Sequence, residues 1–284
     1  MSDNLFQPLL TVGLPIYNGE KTIEKILDSI LNQHFENFIL VISDNGSTDS
    51  TQKICENYAR NDSRINYIRQ EKNIGLLNNW NFILKKAKTK YFMWIEADDY
   101  YDSSFIEDNI RVLENNDNFV GSISNSIYFD GHDKSPQSIN AIGTYEEKSR
   151  TYLKFNRGTA IFAIYRTNSF QKSIVYGEYG AWDLRIMINI LKFGDLNVIN
   201  KIQHYKSAKG ISSKSYLKYM LNNKINFFRI IIPYMPVTSL CIKKFGFTFF
   251  FKNFILFLRL NSNGTLFMTR DIFKFCKNYL INRK

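Results

Sequence analysis

The strongest constraint on this chain is an alternation in its first hundred residues, where short apolar runs of strand length are each followed by a polar turn and a segment of helical periodicity. LLTVGLPI at 9–16 reads as a buried strand that ends in the turn signal Tyr17-Asn18-Gly19. The segment after it places Ile23, Ile26, Leu27, Ile30 and Leu31 on one helical face. FILVIS at 38–43, RINYIRQ at 64–70 and KYFMWIEA at 90–97 repeat the strand signal, with TQKICENYARN and GLLNNWNFILKKAK as the intervening helices. Strands separated by helices pair in parallel through right-handed crossovers, which predicts an α/β fold with a mostly parallel sheet and helices on both faces. Ligands of such a sheet lie beyond the carboxyl ends of its strands. Those ends carry Tyr17-Asn18, Asp44-Asn45-Gly46-Ser47 and Asp98-Asp99, so polar and acidic groups converge on one edge.

Beyond residue 100 the pattern is less regular. FVGSISNSIYFD at 119–130 and TAIFAIYR at 159–166 read as strands, and 131–143 as a turn-rich loop. Charge divides the chain more sharply. Residues 201–284 hold 16 Lys and Arg against the single acid Asp271, whereas the rest holds 21 basic and 25 acidic residues, so an acidic body carries a basic tail within the overall charge of +11. That tail is crowded with aromatic residues, FFRIIIPYMP at 227–236 and FGFTFFFKNFILFLRL at 245–260, which argues against a nucleic-acid arm and for contact with lipid or with the body. Neither run reaches the roughly 18 uninterrupted apolar residues of a spanning helix, because Arg229 with two prolines interrupts one and Lys252-Asn253 the other. Phe247, Phe251, Phe254 and Leu258 recur at helical spacing, with Lys252 and Arg259 on another face, as a helix lying in a membrane surface requires. Cys55, Cys241 and Cys276 lack any paired spacing, and MSDNLFQPLL lacks a secretory pattern, so a cytoplasmic setting at the inner face of the membrane is expected.

The strongest chemical signal is Glu96-Ala-Asp-Asp99 directly after an apolar strand. Adjacent carboxylates at a strand end need a cation or hydrogen-bond donors, and Mg2+ or Mn2+ takes one or two carboxylates plus substrate phosphates. A plain alternative is that Asp98 and Asp99 cap the helix beginning near DSSF at 102–105. DNGSTD at 44–49 likewise contains a turn and helix caps, but neither explains an ionisable Asp44 at the last buried position of a strand. A carboxylate there can accept a nucleobase N–H, and Tyr17 on the adjacent strand end offers a ring for the base to stack on. No G-x-G-x-x-G follows the first strand and no P-loop occurs, so phosphate binding through a metal is the better expectation.

Taken together, Pro15-Ile-Tyr-Asn18, Ser29-Ile-Leu-Asn-Gln33, Asp44-Asn-Gly-Ser-Thr-Asp49, Asn73-Ile-Gly75 with Asn81, and Ala97-Asp-Asp99 resemble family 2 glycosyltransferases in order and spacing, from about residue 8 to about residue 215. The resemblance implies a GT-A type, Rossmann-like fold and an inverting enzyme that uses a nucleotide sugar. By it, Pro15, Tyr17, Asn18, Asp44 and Asp98 would form the nucleotide site, with Tyr17 on the base, Asp44 on its N–H and Asp98 on the ribose. Asp99 would ligate Mn2+ or Mg2+ at the diphosphate. Ser43 stands where the family frequently has a second acid, and Gly75 and Asn81 are expected to shape the loop and helix.

The family's catalytic base is usually the Asp of a Glu-Asp pair opening a late helix. Here Asp183 fits that slot, preceded by Trp182, with Glu178 in reserve and an N-terminal helix-dipole acid as the plain alternative. His204, Lys206 or Lys209 would approach the diphosphate, while His34 and His132 read as solvated. The implied organisation is a catalytic domain over 1–212, with its nucleotide-sugar half at about 1–100 and its acceptor half at about 101–212. A helical extension at 213–284 would meet an anionic membrane surface or pack on the core. The implied reaction moves a hexosyl or hexosaminyl group from a UDP-sugar to a glycan or lipid-linked acceptor in surface polysaccharide synthesis. A catalytically inactive nucleotide-sugar-binding relative is the main alternative, since Trp182 replaces an acid. A nucleic-acid-binding protein is disfavoured, and a nucleotidyltransferase would need a basic glycine-rich loop that PIYNGEKT does not supply.

Overall fold

A computed structural model describes residues 7–129, 138–155, 158–177, 181–207 and 232–281. The expected alternation is realised. Strands β1 (Leu10–Ile16), β2 (Phe38–Asp44), β3 (Ile65–Arg69) and β4 (Tyr91–Trp94) are joined by helices α1 (Ile23–Leu31), α2 (Thr51–Asn61) and α3 (Leu76–Lys86). All three pairings among these strands are parallel, with Ile16 level with Asp44 and Gly13 level with Trp94. Helix α1 forms because Ile23, Ile26, Leu27 and Ile30 recur on one face, and all four are buried.

An eight-stranded sheet results, ordered β3-β2-β1-β4-β7-β6-β8-β5, with β5 (Tyr100–Tyr101), β6 (Phe119–Tyr128), β7 (Ile164–Arg166) and β8 (Asp195–Lys206) in its second half. Strand β7 runs antiparallel to β4 and β6, and β5 antiparallel to β8, so the sheet is mixed on this side. The chain leaves β1 toward β2 and β3 and then returns to β4 on its other side. Strands β1 and β4 therefore flank the topological switch point, where a doubly wound sheet opens a crevice.

Several expectations need correction. The strand expected at 159–166 is a single 3-10 turn, Ala160–Phe162, followed by the short β7. Strand β8 and the helices α4 (Phe105–Asn115), α5 (Tyr145–Phe155) and α6 (Thr167–Gln171) complete the second half, together with α7 (Trp182–Ile190), which Asp183 helps to open. Most of the loop expected at 131–143 lies outside the described residues, as do His132, Glu178 and Lys209.

In the tail, the helical stretch expected at 247–258 breaks at Asn253. Helix α8 (Met235–Lys252), itself kinked at Gly246 with φ +81°, ends there and α9 (Phe254–Ile281) begins. The two helices pack through Phe249 and Phe250 against Phe257, and α8 lies on α7. Val237, Cys241, Phe249 and Phe257 are buried, while Phe247, Phe251, Phe254 and Leu258 are each at least half exposed. Part of the tail is thus core and part is an uncovered apolar face. Among the described residues, no helix is long and apolar enough to cross a membrane.

Candidate active site

Three loops at the carboxyl edge are tied into one surface. Asn18 adopts a left-handed backbone, φ +53°, that turns the chain off β1. Its backbone N–H donates to Ser47 Oγ at 2.9 Å and its side-chain oxygen accepts the Thr48 N–H at 2.8 Å. Gly19 N–H donates to Thr51 Oγ1, and the Glu20 carboxylate accepts the Ser50 N–H. Asn45 reaches the other way, accepting the Ile74 N–H at 2.8 Å and donating to Asn73 at 3.1 Å. Gly46 between them needs φ +74° and would place a Cβ 3.2 Å from the backbone of Lys72 and Asn73, so glycine is required there. Ser43, in place of an acid, donates to Asn79 Oδ1 at 2.6 Å inside the core. Asn81 anchors α3 by donating to the Val175 carbonyl, in keeping with its expected structural role.

Between β1 and the 96–99 step lies a cleft of about 660 Å³, bounded by Pro15, Tyr17, Asn18, Lys25, Trp80 and the Glu96–Asp99 segment. Tyr17 is 48% exposed on one wall. In the same lining, Glu96, Asp98 and Asp99 each offer a carboxylate oxygen, all within 4.8 Å of one another. Asp99 is buried and held from both sides: Oδ1 accepts the Ser207 N–H at 3.0 Å, and Oδ2 lies 2.9 Å from His204 Nε2. Burial alone would raise its pKa, but Lys206, the His204 hydrogen bond and the Ser207 N–H together hold it below the ordinary carboxylate value.

His204 is buried, which pushes its pKa down against the pull of Asp99. The tautomer follows. Nε2–H donates to the acceptor-only carboxylate, and Nδ1, 2.9 Å from Ser126 Oγ, accepts that hydroxyl's proton. Tyr101 stacks on the ring at 4.5 Å and 7°. His204 was expected at the diphosphate; in the structure it is fully buried and its partner is Asp99. Lys206 completes the group, with Nζ 3.2 Å from Glu96 Oε2 and 3.8 Å from Asp99 Oδ2. These contacts raise its pKa although burial opposes them. Enclosure pushes Glu96 the other way from Asp99, upward, with Lys206 opposing.

Asp44 is fully buried behind the cleft wall. Its Oδ1 accepts the Ser47 N–H at 2.8 Å, and Oδ2 accepts the Tyr67 hydroxyl at 2.7 Å and Arg69 at 3.3 Å. Asp183 opens α7, and burial raises its pKa against its local backbone N–H groups and Lys206. Burial, and after it the nearby Asp183, raises the pKa of Tyr152 and of Tyr234 at the start of α8, which packs on α7. Trp182, where an acid was the expected neighbour, packs its ring 5.4 Å from Trp80 and 6.4 Å from Trp94. The substitution therefore joins α7 to the core beneath the cleft. His34 is exposed, as expected.

The family model for glycosyl transferase family 2 matches residues 11–174, more than half of the chain. The chain belongs to that family. Among curated relatives, an uncharacterized glycosyltransferase of Haemophilus influenzae is 37% identical over 113 residues, 40% of this glycosyltransferase and 35% of that protein. Glycosyltransferase GlyA of Streptococcus pneumoniae is 37% identical over 98 residues, 34% of this chain and 14% of its own length. The match thus spans about a third or less of these relatives. Among solved structures, S. aureus TarS 1–349 in complex with UDP-GlcNAc aligns at TM-score 0.60 and 24% identity, covering 71% of this chain and 59% of that one. The mannosyltransferase PcManGT of Pyrobaculum calidifontis, in complex with GDP-Man and Mn2+, aligns at TM-score 0.57 and 13% identity over 93% of this chain and 74% of that one. These likenesses establish the GT-A, Rossmann-like fold of this glycosyltransferase.

Proposed function

We propose that this family 2 enzyme transfers a hexosyl or hexosaminyl group, with inversion, from a UDP-sugar to a hydroxyl of a glycan or lipid-linked acceptor in surface polysaccharide synthesis. One observation carries the reading: the cleft at the β1–β4 switch point is lined both by an exposed aromatic ring, Tyr17, and by three converging carboxylates. TarS and PcManGT, of the same fold, bind UDP-GlcNAc and GDP-Man with Mn2+ respectively, which supports a nucleotide-sugar donor and a divalent cation here.

Tyr17 would stack on the base, Pro15 and Asn18 would shape its pocket, and Asp98 would meet the ribose. Asp44 would receive a base N–H once Arg69, 37% exposed at the side chain, gives up its 3.3 Å contact. The donor set suits a hard cation. All three groups are carboxylates, and Asp99 keeps lone pairs beyond those taken by His204 and Ser207, which would orient it as outer-shell partners. Asp99, with Glu96 beside it, would hold Mn2+ or Mg2+, and the cation would neutralise charge developing on the departing diphosphate. Asp183 would take the proton of the acceptor hydroxyl as that oxygen bonds to the anomeric carbon and the bond to the diphosphate breaks on the opposite face. Its raised pKa makes it a better base than an ordinary carboxylate.

The exposed Phe247, Phe251, Phe254 and Leu258, together with the exposed Lys252 and Arg259, support a peripheral position on the anionic inner face of the cell membrane. A thermal-shift screen of nucleotide sugars with and without Mn2+ tests the donor and metal assignments together. A UDP-sugar should stabilise the protein, and more so with Mn2+. Absence of stabilisation by every nucleotide tried would defeat the reading.

A further inference from the structure

Lys206 has no step in the chemistry above, yet it occupies the place where that chemistry needs room. At 8% exposure it ends β8, with Nζ 3.2 Å from Glu96 Oε2, 3.8 Å from Asp99 Oδ2 and 4.2 Å from the centre of the Phe162 ring. The ammonium therefore lies against carboxylates that a divalent cation would take. The backbone that carries it is held in place. Residue 206 is paired with Tyr128 in the sheet, Tyr205 before it stacks on Tyr100 at 4.6 Å and 6°, and the Ser207 N–H after it is tied to Asp99. Two cations sharing these oxygens repel each other strongly in an enclosed setting.

We propose that Lys206 is an internal counter-cation that competes with the divalent metal for the Glu96–Asp99 carboxylates, so that the free enzyme binds metal weakly and takes it up together with a nucleoside diphosphate. The diphosphate supplies the missing negative charge: its oxygens complete the metal shell and face the ammonium, so both cations are accommodated in the ternary complex. This inference rests on the metal reading above and extends it to an order of loading.

The test is a Mn2+ titration of the full chain, followed by electron paramagnetic resonance, with and without UDP, for wild type, Lys206→Met and Lys206→Arg. Without UDP, Lys206→Met should bind Mn2+ about ten-fold more tightly than wild type or better, because the repelling charge is gone while the stem is kept. Lys206→Arg keeps the charge and should match wild type. UDP should tighten Mn2+ binding in wild type by more than in Lys206→Met. In EDTA, Lys206→Met should melt below wild type, since its carboxylates have lost their counter-ion, and Mn2+ alone should recover much of that loss. Should Lys206→Met be unfolded in EDTA, refolding by Mn2+ supports the proposal and failure to refold counts against it. Equal Mn2+ affinity of wild type and Lys206→Met without UDP overturns the proposal; the metal site itself survives if wild type binds Mn2+ with UDP. Absence of Mn2+ uptake by wild type even with UDP overturns both.

Discussion

Asp99→Asn separates the structural work of this side chain from its proposed chemical work. The carboxylate is 1% exposed and touches His204 Nε2 at 2.9 Å, the Ser207 N–H at 3.0 Å and Lys206 at 3.8 Å. An amide of the same shape keeps one oxygen for Ser207 and turns its NH2 to His204. The ring can adapt, because Ser126 Oγ, 2.9 Å from Nδ1, accepts as readily as it donates. The proton then moves to Nδ1, and Nε2 becomes the acceptor the amide needs. What remains lost is charge: a charge-assisted hydrogen bond at about 1.5–3 kcal/mol becomes a neutral one at about 0.5–1.5. Lys206 still has Glu96 at 3.2 Å. The apo protein should therefore lose about 1–2 kcal/mol, roughly 2–8 °C in Tm. Wild type with UDP and Mn2+ at a hundred times Kd should gain about 2.7 kcal/mol. Differential scanning fluorimetry of both proteins, apo and with UDP, with Mn2+ or EDTA, reads all of this, and the variant's metal-dependent gain should vanish. A variant that keeps that gain, or one that does not fold without ligand, refutes the reasoning.

Three further variants test the same geometry. Asp183→Asn should reduce turnover by about 10²–10⁴-fold in a nucleoside-diphosphate release assay while donor affinity by calorimetry stays unchanged. The same variant should melt higher at neutral pH. Burial raises this carboxyl's folded pKa, so its ionisation costs stability above that pKa and nothing below the unfolded value; the two proteins should melt together in acid. Tyr17→Ala removes a half-exposed ring, so it should leave Tm unchanged and weaken UDP binding by about 1–3 kcal/mol of stacking, read by calorimetry. Phe247→Ser with Phe251→Ser changes two exposed rings and should abolish sedimentation with anionic liposomes at unchanged Tm; undiminished sedimentation would count against the peripheral-membrane reading. Truncating the tail is the poorer test, because it would strip away the buried Val237, Cys241, Phe249 and Phe257.

The first half of the fold was legible because β1, β2 and β4 are buried apolar runs and α1 keeps its isoleucines and leucines on one face. Strand β8 was not, and the reason is chemical. Apart from Leu196, its buried positions are filled by Gln203, His204 and Lys206, which serve Ser124, Asp99 and Glu96, so its hydrophobic alternation is broken where the site is built. Register shifts against β6 near Asn125 blur the pattern further. Asp99 was found from its motif. Its partner His204 lies 105 residues away and is joined to it only by the pairing of β5 with β8, which no local spacing reveals. Trp182 looked like a lost acid from sequence, and its packing on Trp80 and Trp94 depends on neighbours a hundred residues distant. In the tail, helical spacing identified the exposed phenylalanines but not the break at Asn253, whose side chain donates to the Phe249 carbonyl one turn back.

The most direct test of the account is the anomalous-scattering map of crystals grown with UDP and Mn2+. A manganese peak should appear at about 2.0–2.2 Å from a carboxylate oxygen of Asp99, with the uracil ring against Tyr17. Manganese and UDP bound elsewhere, with the Tyr17 to Asp99 cleft holding neither, would contradict it.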